Sequence, residues 1–265
     1  MPDYTDQTGY RFYIANEPAR IISLVPSQTE LLHYLGLGHK VVGITRFCIH
    51  PKEWRQEKTI IGGTKNFKFE IIDALKPDLI IGNKEENYKE GIELLRRKYP
   101  VWLSDVNDLP SAFRMIEDVG LMCGTTKETF KLLNDISLER KKFHETKRLL
   151  KPKIAYFIWK RPYMVAASET FINSMIEEAG FENIFKNFKR YPEFEPEDLR
   201  QYKPDIVFLS SEPYQFRTKH IEEFRSIFPQ AKISIVDGEM FSWYGPRIKD
   251  AYIYFSELWN KLLGD

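Results

Sequence analysis

At 265 residues the chain is longer than one compact core usually supports, and it fits two domains of ordinary size. Its 43% hydrophobic and 29% charged residues are those of a soluble globular protein with a sizeable core, not of a disordered chain. A formal net charge of +1, with Lys and Arg scattered, offers no basic footprint for nucleic acid or an anionic membrane.

Residues 1–20 are polar and hold no apolar signal core, and no stretch approaches the ~20 apolar residues that span a bilayer. Residues 20–25, Arg20-Ile21-Ile22-Ser23-Leu24-Val25, read as a buried strand ended by Pro26. Ser27-Gln28-Thr29-Glu30 has the capping-box pattern, in which the Ser27 hydroxyl takes the Glu30 amide and the Glu30 carboxylate reaches back. Leu31, Leu32, Tyr34 and Leu35 give that helix its apolar face, and Gly36 and Gly38 end it. A strand over 40–44 leads into a long loop, 45–66, rich in Gly, Pro, Lys and aromatics. Connections beyond ~12–15 residues lean toward function.

A helix near Glu70 leads through Pro77 into a strand over 79–82, then helix 87–98, strand 101–103 and helix 109–122. Such alternation favours a parallel sheet with helices on both faces. Residues 125–150 lack Gly and Pro and space Phe130, Leu133, Ile136 and Phe143 at helical intervals. About 25 helical residues make a rod of ~37 Å, long enough to connect two lobes. Beyond it come strand 153–159, a Ser168-Glu169-Thr170 helix start running to Glu178, strands 206–209 and 233–236, and an amphipathic helix over 247–263. The expected domains are therefore 1–124, a connecting helix 125–150, and 151–265.

One phrase occurs twice: Leu75-Lys76-Pro77-Asp78-Leu79-Ile80-Ile81 and Tyr202-Lys203-Pro204-Asp205-Ile206-Val207-Phe208. Each has a glutamate seven residues before its proline, Glu70 and Glu197. The repeat implies two similar lobes. Cys48 and Cys123, 75 positions apart, form no metal or redox spacing and are expected as free buried thiols, a disulfide between them being the alternative.

The phrases at 20–30, at 75–80, Gly180-Phe181-Glu182-Asn183-Ile184-Phe185, and Lys203-Pro204-Asp205-Ile206-Val207 make the chain resemble a known family. It is similar to the substrate-binding proteins of ABC importers for cobalamin, haem and iron–siderophores, the class with one long helix between lobes. Glu-Asn-Ile-Phe, with Pro246-Arg247-Ile248 near the last helix, looks most like the cobalamin-binding type. The resemblance implies an α/β fold: two Rossmann-like lobes with parallel sheets, one long connecting helix and a ligand cleft between lobes. It implies a monomeric, non-catalytic binding protein of the periplasm or cell surface. No catalytic cofactor and no bare metal site is expected; the ligand is cobalamin, a ferric siderophore or haem, and the partner an ABC permease. Glu70 and Glu197 then map onto the glutamates that dock on permease arginines. Equally, each acid can simply favour the first turn of its helix. The absence of a visible export signal keeps a cytoplasmic location as the alternative.

The family's cleft is built from loops at the carboxyl ends of strands, which points to Phe47 and His50 and to Lys65 beside Gly62-Gly63 in the first lobe. Lys84 and Asn87 follow the first Lys-Pro-Asp strand, and Asn87 suits either a ligand contact or a helix cap. In the second lobe Trp159, Tyr163 and Tyr191 are candidates. Trp243-Tyr244 with Arg247 is the most specific group, because flat aromatic walls suit a large planar ligand and Arg pairs with its anionic groups. Cys48 and His50 have a metal-like spacing but no third ligand, and His33, His39, His144 and His220 are spread apart. The competing reading is a cytosolic sensor or enzyme using Cys48, His50 and Lys65. No nucleophile elbow, phosphate loop or zinc-protease motif supports it.

Overall fold

The computed structural model describes residues 3–146 and 148–263. The chain divides into two compact units. Met1–Val106, Pro110–Ser137 and Tyr244–Pro246 form the first; Asn107–Leu109, Leu138–Trp243 and Arg247–Asp265 form the second.

The first unit opens with a hairpin that the polar N-terminal sequence did not announce, β1 (Asp3–Thr5) paired antiparallel with β2 (Arg11–Tyr13). Asp6 builds its turn, accepting from the amides of Thr8 and Tyr10 at 2.9 Å each and pairing with Arg96. Next come β3 (Ile21–Ser23), α1 (Pro26–Tyr34), β4 (Val41–Ile44), α2 (Trp54–Glu57) and β5 (Thr59–Ile60). They are followed by β6 (Gly62–Gly63), β7 (Asn66–Phe67), α3 (Phe69–Leu75), β8 (Leu79–Asn83), α4 (Lys89–Arg96), β9 (Val101–Ser104) and α5 (Leu109–Met122). The main sheet is parallel throughout, in the order β5-β4-β3-β8-β9. The segment expected as one long loop thus holds a helical turn, an edge strand and a two-strand hairpin.

The helix expected over 125–150 is α6 (Thr126–Glu145), which ends earlier. Arg148 explains the stop: its guanidinium donates to the Phe143 carbonyl at 2.6 Å and lies 3.7 Å from the Phe143 ring centre, satisfying a terminal carbonyl from outside the helix. Leu132, Ile136 and Phe143 are buried, whereas Phe130 is 74% exposed and contributes nothing to the core stripe.

The second unit holds β10 (Lys153–Trp159), β11 (Tyr163–Val165), α7 (Phe171–Glu178), β12 (Glu182–Asn183), β13 (Glu193–Phe194) and α8 (Pro196–Leu199). It continues through β14 (Ile206–Ser210), α9 (Ile221–Ile227), β15 (Lys232–Val236), α10 (Glu239–Ser242) and α11 (Arg247–Leu263). Strands β12, β10, β14 and β15 pair in parallel, while β11 and β13 add an antiparallel edge. Its core centres on Phe157, which meets Phe224 edge-on at 4.7 Å between ring centres. Burying a ring of this size contributes roughly 1.5–3 kcal/mol.

The repeated Lys-Pro-Asp phrase starts a strand in each unit and ties it to a neighbour. Asp78 accepts from the amides of Ala19 and Arg20 at 2.8 Å each, just before β3. Asp205 accepts from the Lys153 amide at 2.7 Å, where β10 begins. Among the described residues no helix is long and apolar enough to cross a membrane.

Candidate functional site

In the first unit the carboxyl ends of β3, β4, β8 and β9 meet in a buried polar network. Asn83 ends β8, and its side-chain oxygen accepts from the amides of Glu85 at 2.8 Å and Glu86 at 3.0 Å. The Asn83 amide donates to Asn87 Oδ1 at 2.8 Å, and Asn87 Nδ2 reaches the Thr64 carbonyl at 3.1 Å. Asn87 therefore braces the turn, and Tyr88 takes the cap position of α4. A Cβ on Gly82 would lie 2.5 Å from Asn87 Oδ1, so the brace needs glycine there. The braced turn is what aims Glu86.

The expected capping box does not form. Val25 is the N-cap of α1 and Pro26 its first residue, since proline suits a position whose amide has no partner. Thr29, one turn on, donates to the Val25 carbonyl at 2.9 Å and contacts Cys48 Sγ at 3.0 Å. Ser27 Oγ is buried, with the Tyr244 hydroxyl as its neighbour. Gln28 Nε2 donates to the Gly82 carbonyl at 2.9 Å and Ser104 Oγ at 2.7 Å, leaving Gln28 Oε1 buried and unpartnered. Tyr244 closes this region. It is 5% exposed, its hydroxyl donates to Glu86 Oε1 at 3.1 Å, and the Ser27 and Ser104 hydroxyls lie beside it. Burial, then the Glu86 charge, pushes the phenol well above its ordinary value.

Around this centre the first-unit candidates separate. Phe47 is 48% exposed with the Arg46 guanidinium 5.1 Å from its ring centre. His50 is half-buried beside an open hollow that Ile49, Lys52, Arg55 and Gln56 also line. Lys65 donates to the Glu85 carbonyl at 2.7 Å, and Lys84 pairs with Asp105 at 2.6 Å. Cys48 is fully buried between Thr29 and Thr45, and burial pushes its thiol up. Cys123 is also a free buried thiol. Among the described residues no group of three His, Cys, Asp or Glu is placed to hold a metal ion.

In the second unit Trp243 and Arg247 do come together, through partners that the sequence reading missed. Trp243 Nε1 donates to Glu212 Oε1 at 2.9 Å, and Ser242 Oγ donates to the same atom at 2.6 Å. Arg247 pairs with Glu239 at 3.1 Å and lies 5.0 Å from the Trp243 ring centre. Burial pushes the Glu212 carboxyl up, against the two donors that favour its charge. A signal for Glu212 was available: like Glu85 and Glu86, it follows a Lys-Pro-Asp strand by a few residues. Trp159 is 40% exposed and meets Tyr214 edge-on at 5.5 Å. Tyr163 instead packs in the core against Phe157 and Phe224 and donates to Glu223, which also pairs with Lys160. Tyr191 is half-buried with the Arg190 guanidinium 5.8 Å from its ring centre. Glu70 and Glu197 are exposed in the first turns of α3 and α8.

A family model described as periplasmic binding protein matches residues 21–230. A vitamin B12-binding protein of Vibrio parahaemolyticus is 27% identical over 204 residues, covering 74% of this chain and 73% of that protein. An uncharacterised ABC transporter substrate-binding lipoprotein of Bacillus subtilis is 26% identical over 259 residues, covering 92% of this chain and 80% of its own length. Among solved structures, a periplasmic haem-binding protein of Pseudomonas aeruginosa superposes with a TM-score of 0.80 at 19% identity, covering 92% of this chain and 94% of that one. At that identity the likeness is one of fold.

Proposed function

This chain belongs to the periplasmic binding protein family, and we propose that it is the substrate-binding component of an ABC-type importer, carrying a metal chelate without transforming it. The observation that carries this reading is a pair of exposed rings at the carboxyl ends of strands. Phe47 follows β4 beside Arg46, and Trp159 ends β10 beside Lys160 and Arg161. A solvent-facing ring offers a flat apolar face for a ligand to cover, and a neighbouring cation suits the anionic periphery of a large ligand. Trp243, expected as a ligand wall, is instead 7% exposed, and with Arg247 it is held by Glu212 and Glu239, so it braces the second unit and does not add an open ring.

Cobalamin is the first candidate ligand, since the relative in Vibrio parahaemolyticus is named for it; haem and ferric siderophores come next. The reading also includes a transmembrane permease partner, docked through exposed Glu70 and Glu197, and a periplasmic or surface location. Two carboxylates on separate helical first turns give an orientation-specific contact for arginines. The competing enzyme or sensor needs a reactive Cys48, yet that thiol is buried and held protonated.

Titration of the purified protein with cobalamin, haem and ferric siderophores, followed by tryptophan fluorescence, tests the reading. Saturable binding of one of them supports it, and failure of all three sinks it. Charge reversal of Glu70 and Glu197 is expected to abolish stimulation of the permease while ligand affinity stays unchanged. A fall in affinity instead would make those acids binding or stability residues.

A further inference from the structure

The polar centre of the first unit has one feature that neither packing nor capping accounts for. On the first turn of α1, Gln28, at 1% exposure, keeps its side-chain oxygen buried without a partner, beside Ser27 at 3%, whose hydroxyl has the Tyr244 hydroxyl as its neighbour. Leaving such an atom unpaired is unfavourable, and buried polar groups in native proteins are nearly always satisfied. The Gln28 amide cannot turn over to relieve this, because its nitrogen faces the Gly82 carbonyl, which only accepts.

The groups converging here form a pattern with two halves. The donor half is the start of α1, a nine-residue helix whose first amides have no intrahelical partner, together with the Ser27 hydroxyl. The acceptor half is Gln28 Oε1 and the Glu86 carboxylate, the latter aimed by the Asn83–Asn87 brace. Tyr244 covers the Glu86 side of this pattern with its hydroxyl. A hydroxyl has one proton, here given to Glu86, so it leaves Gln28 Oε1 unserved. A ligand carboxylate would bring only acceptors, and two of the site's groups would oppose it. A primary carboxamide brings a carbonyl for the donor half and two N–H groups for the acceptor half.

We propose that the start of α1, with Ser27, Gln28 and Glu86, is a subsite for a primary carboxamide on the ligand, whose arrival displaces the Tyr244 hydroxyl. This rests on the reading of the chain as a chelate-binding protein, and it narrows the ligand to a chelate with an amide-bearing rim, as opposed to one with carboxylates only.

The test leaves the protein intact and alters the ligand first. Affinity of the full chain is measured for cobalamin and for its monocarboxylic acid derivatives, in which one peripheral carboxamide is hydrolysed. The expected result is that at least one acid derivative binds about tenfold or more weakly, as for a hydrogen-bonding group left unpaired. Ser27→Ala is expected to weaken cobalamin binding and shrink that amide-to-acid ratio toward one, with an unchanged melting temperature showing the fold intact. Equal affinity for the amide and every acid form overturns the subsite while leaving chelate binding in place. Binding of haem or a ferric siderophore but no corrinoid does the same. If none of these ligands binds, the functional reading falls and the subsite with it.

Discussion

Both units have a Ser-x-Thr segment where a helix begins, Ser27-Gln28-Thr29 and Ser168-Glu169-Thr170, and the two behave differently. In the second unit Thr170 is the N-cap of α7: its hydroxyl accepts from the Asn173 amide at 3.1 Å and donates to the Ala167 carbonyl at 2.7 Å. In the first unit Pro26 starts the helix before the motif is reached, so the same residue types lie inside the first turn. There Thr29 bonds back to the Val25 carbonyl, Ser27 meets only the Tyr244 hydroxyl, and Gln28 Oε1 is left without a partner. One proline thus changes a structural cap into a polar surface with spare hydrogen-bonding capacity. The second unit spends its polar groups on holding itself together, whereas the first keeps some in reserve.

The largest expected effect tests that claim for the second unit. Glu178 takes two bonds from Arg140 at 2.8 Å, one from Tyr252 at 2.9 Å and a contact from His144 at 3.0 Å, joining α6, α7 and α11. Glu178→Ala is expected to lower stability by about 2 kcal/mol, since half-exposed Arg140 discounts the value of a fully buried pair. Thermal unfolding measures it, and a loss under ~0.5 kcal/mol would mean that this network does not hold the helices.

Next in size is the capping contrast itself. Thr170→Ala is expected to cost about 1 kcal/mol, the usual value of a lost N-cap, and Ser27→Ala close to nothing. Equal losses in denaturant titration would erase the distinction between the two helix starts.

The pH dependence gives a smaller effect with two signs. Burial acts to raise the Glu178 carboxyl, but bonds from Arg140, His144 and Tyr252 outweigh it and hold the group below its ordinary value. Its contribution is therefore full above the unfolded carboxylate value of ~4.3 and is lost as pH falls through the folded value. Glu212 is opposite: burial raises it, so its contribution is full below ~4.3 and is lost as pH rises through the folded value. Glu212→Gln should accordingly gain on the wild type as pH rises from 4 toward 7, a range set by those carboxylate values. Melting temperatures across that range check the sign. His220, pushed down by burial, adds a further loss as pH falls below its unfolded value of ~6.5.

Much of the fold was legible because the periodic elements carry their own signals. Helices 109–122 and 247–263 have the bounds that their residue pattern predicts. The Lys-Pro-Asp phrase correctly marks a strand start in each unit, with its aspartate fastening the neighbouring chain. The N-terminal hairpin was not legible, because it rests on Asp6 meeting Arg96, ninety residues away. The site was legible in part. Trp243 and Arg247 stand together in sequence and in space, but Glu212, which bonds the indole, comes from 31 residues earlier. Tyr163 reads as a loop aromatic and lies in the core, since only the packing of α9 decides that its ring has somewhere to go.

By itself the sequence determined the longer helices, the central strands and the two-lobed repeat, whose causes are local: period, proline, glycine and the amide-starved first turn of a helix. Tertiary structure alone decided which polar groups are satisfied. Hydrogen-bond satisfaction depends on partners from distant strands: Gln28 reaches Gly82 and Ser104, and Tyr244 reaches Glu86, far along the chain in each case.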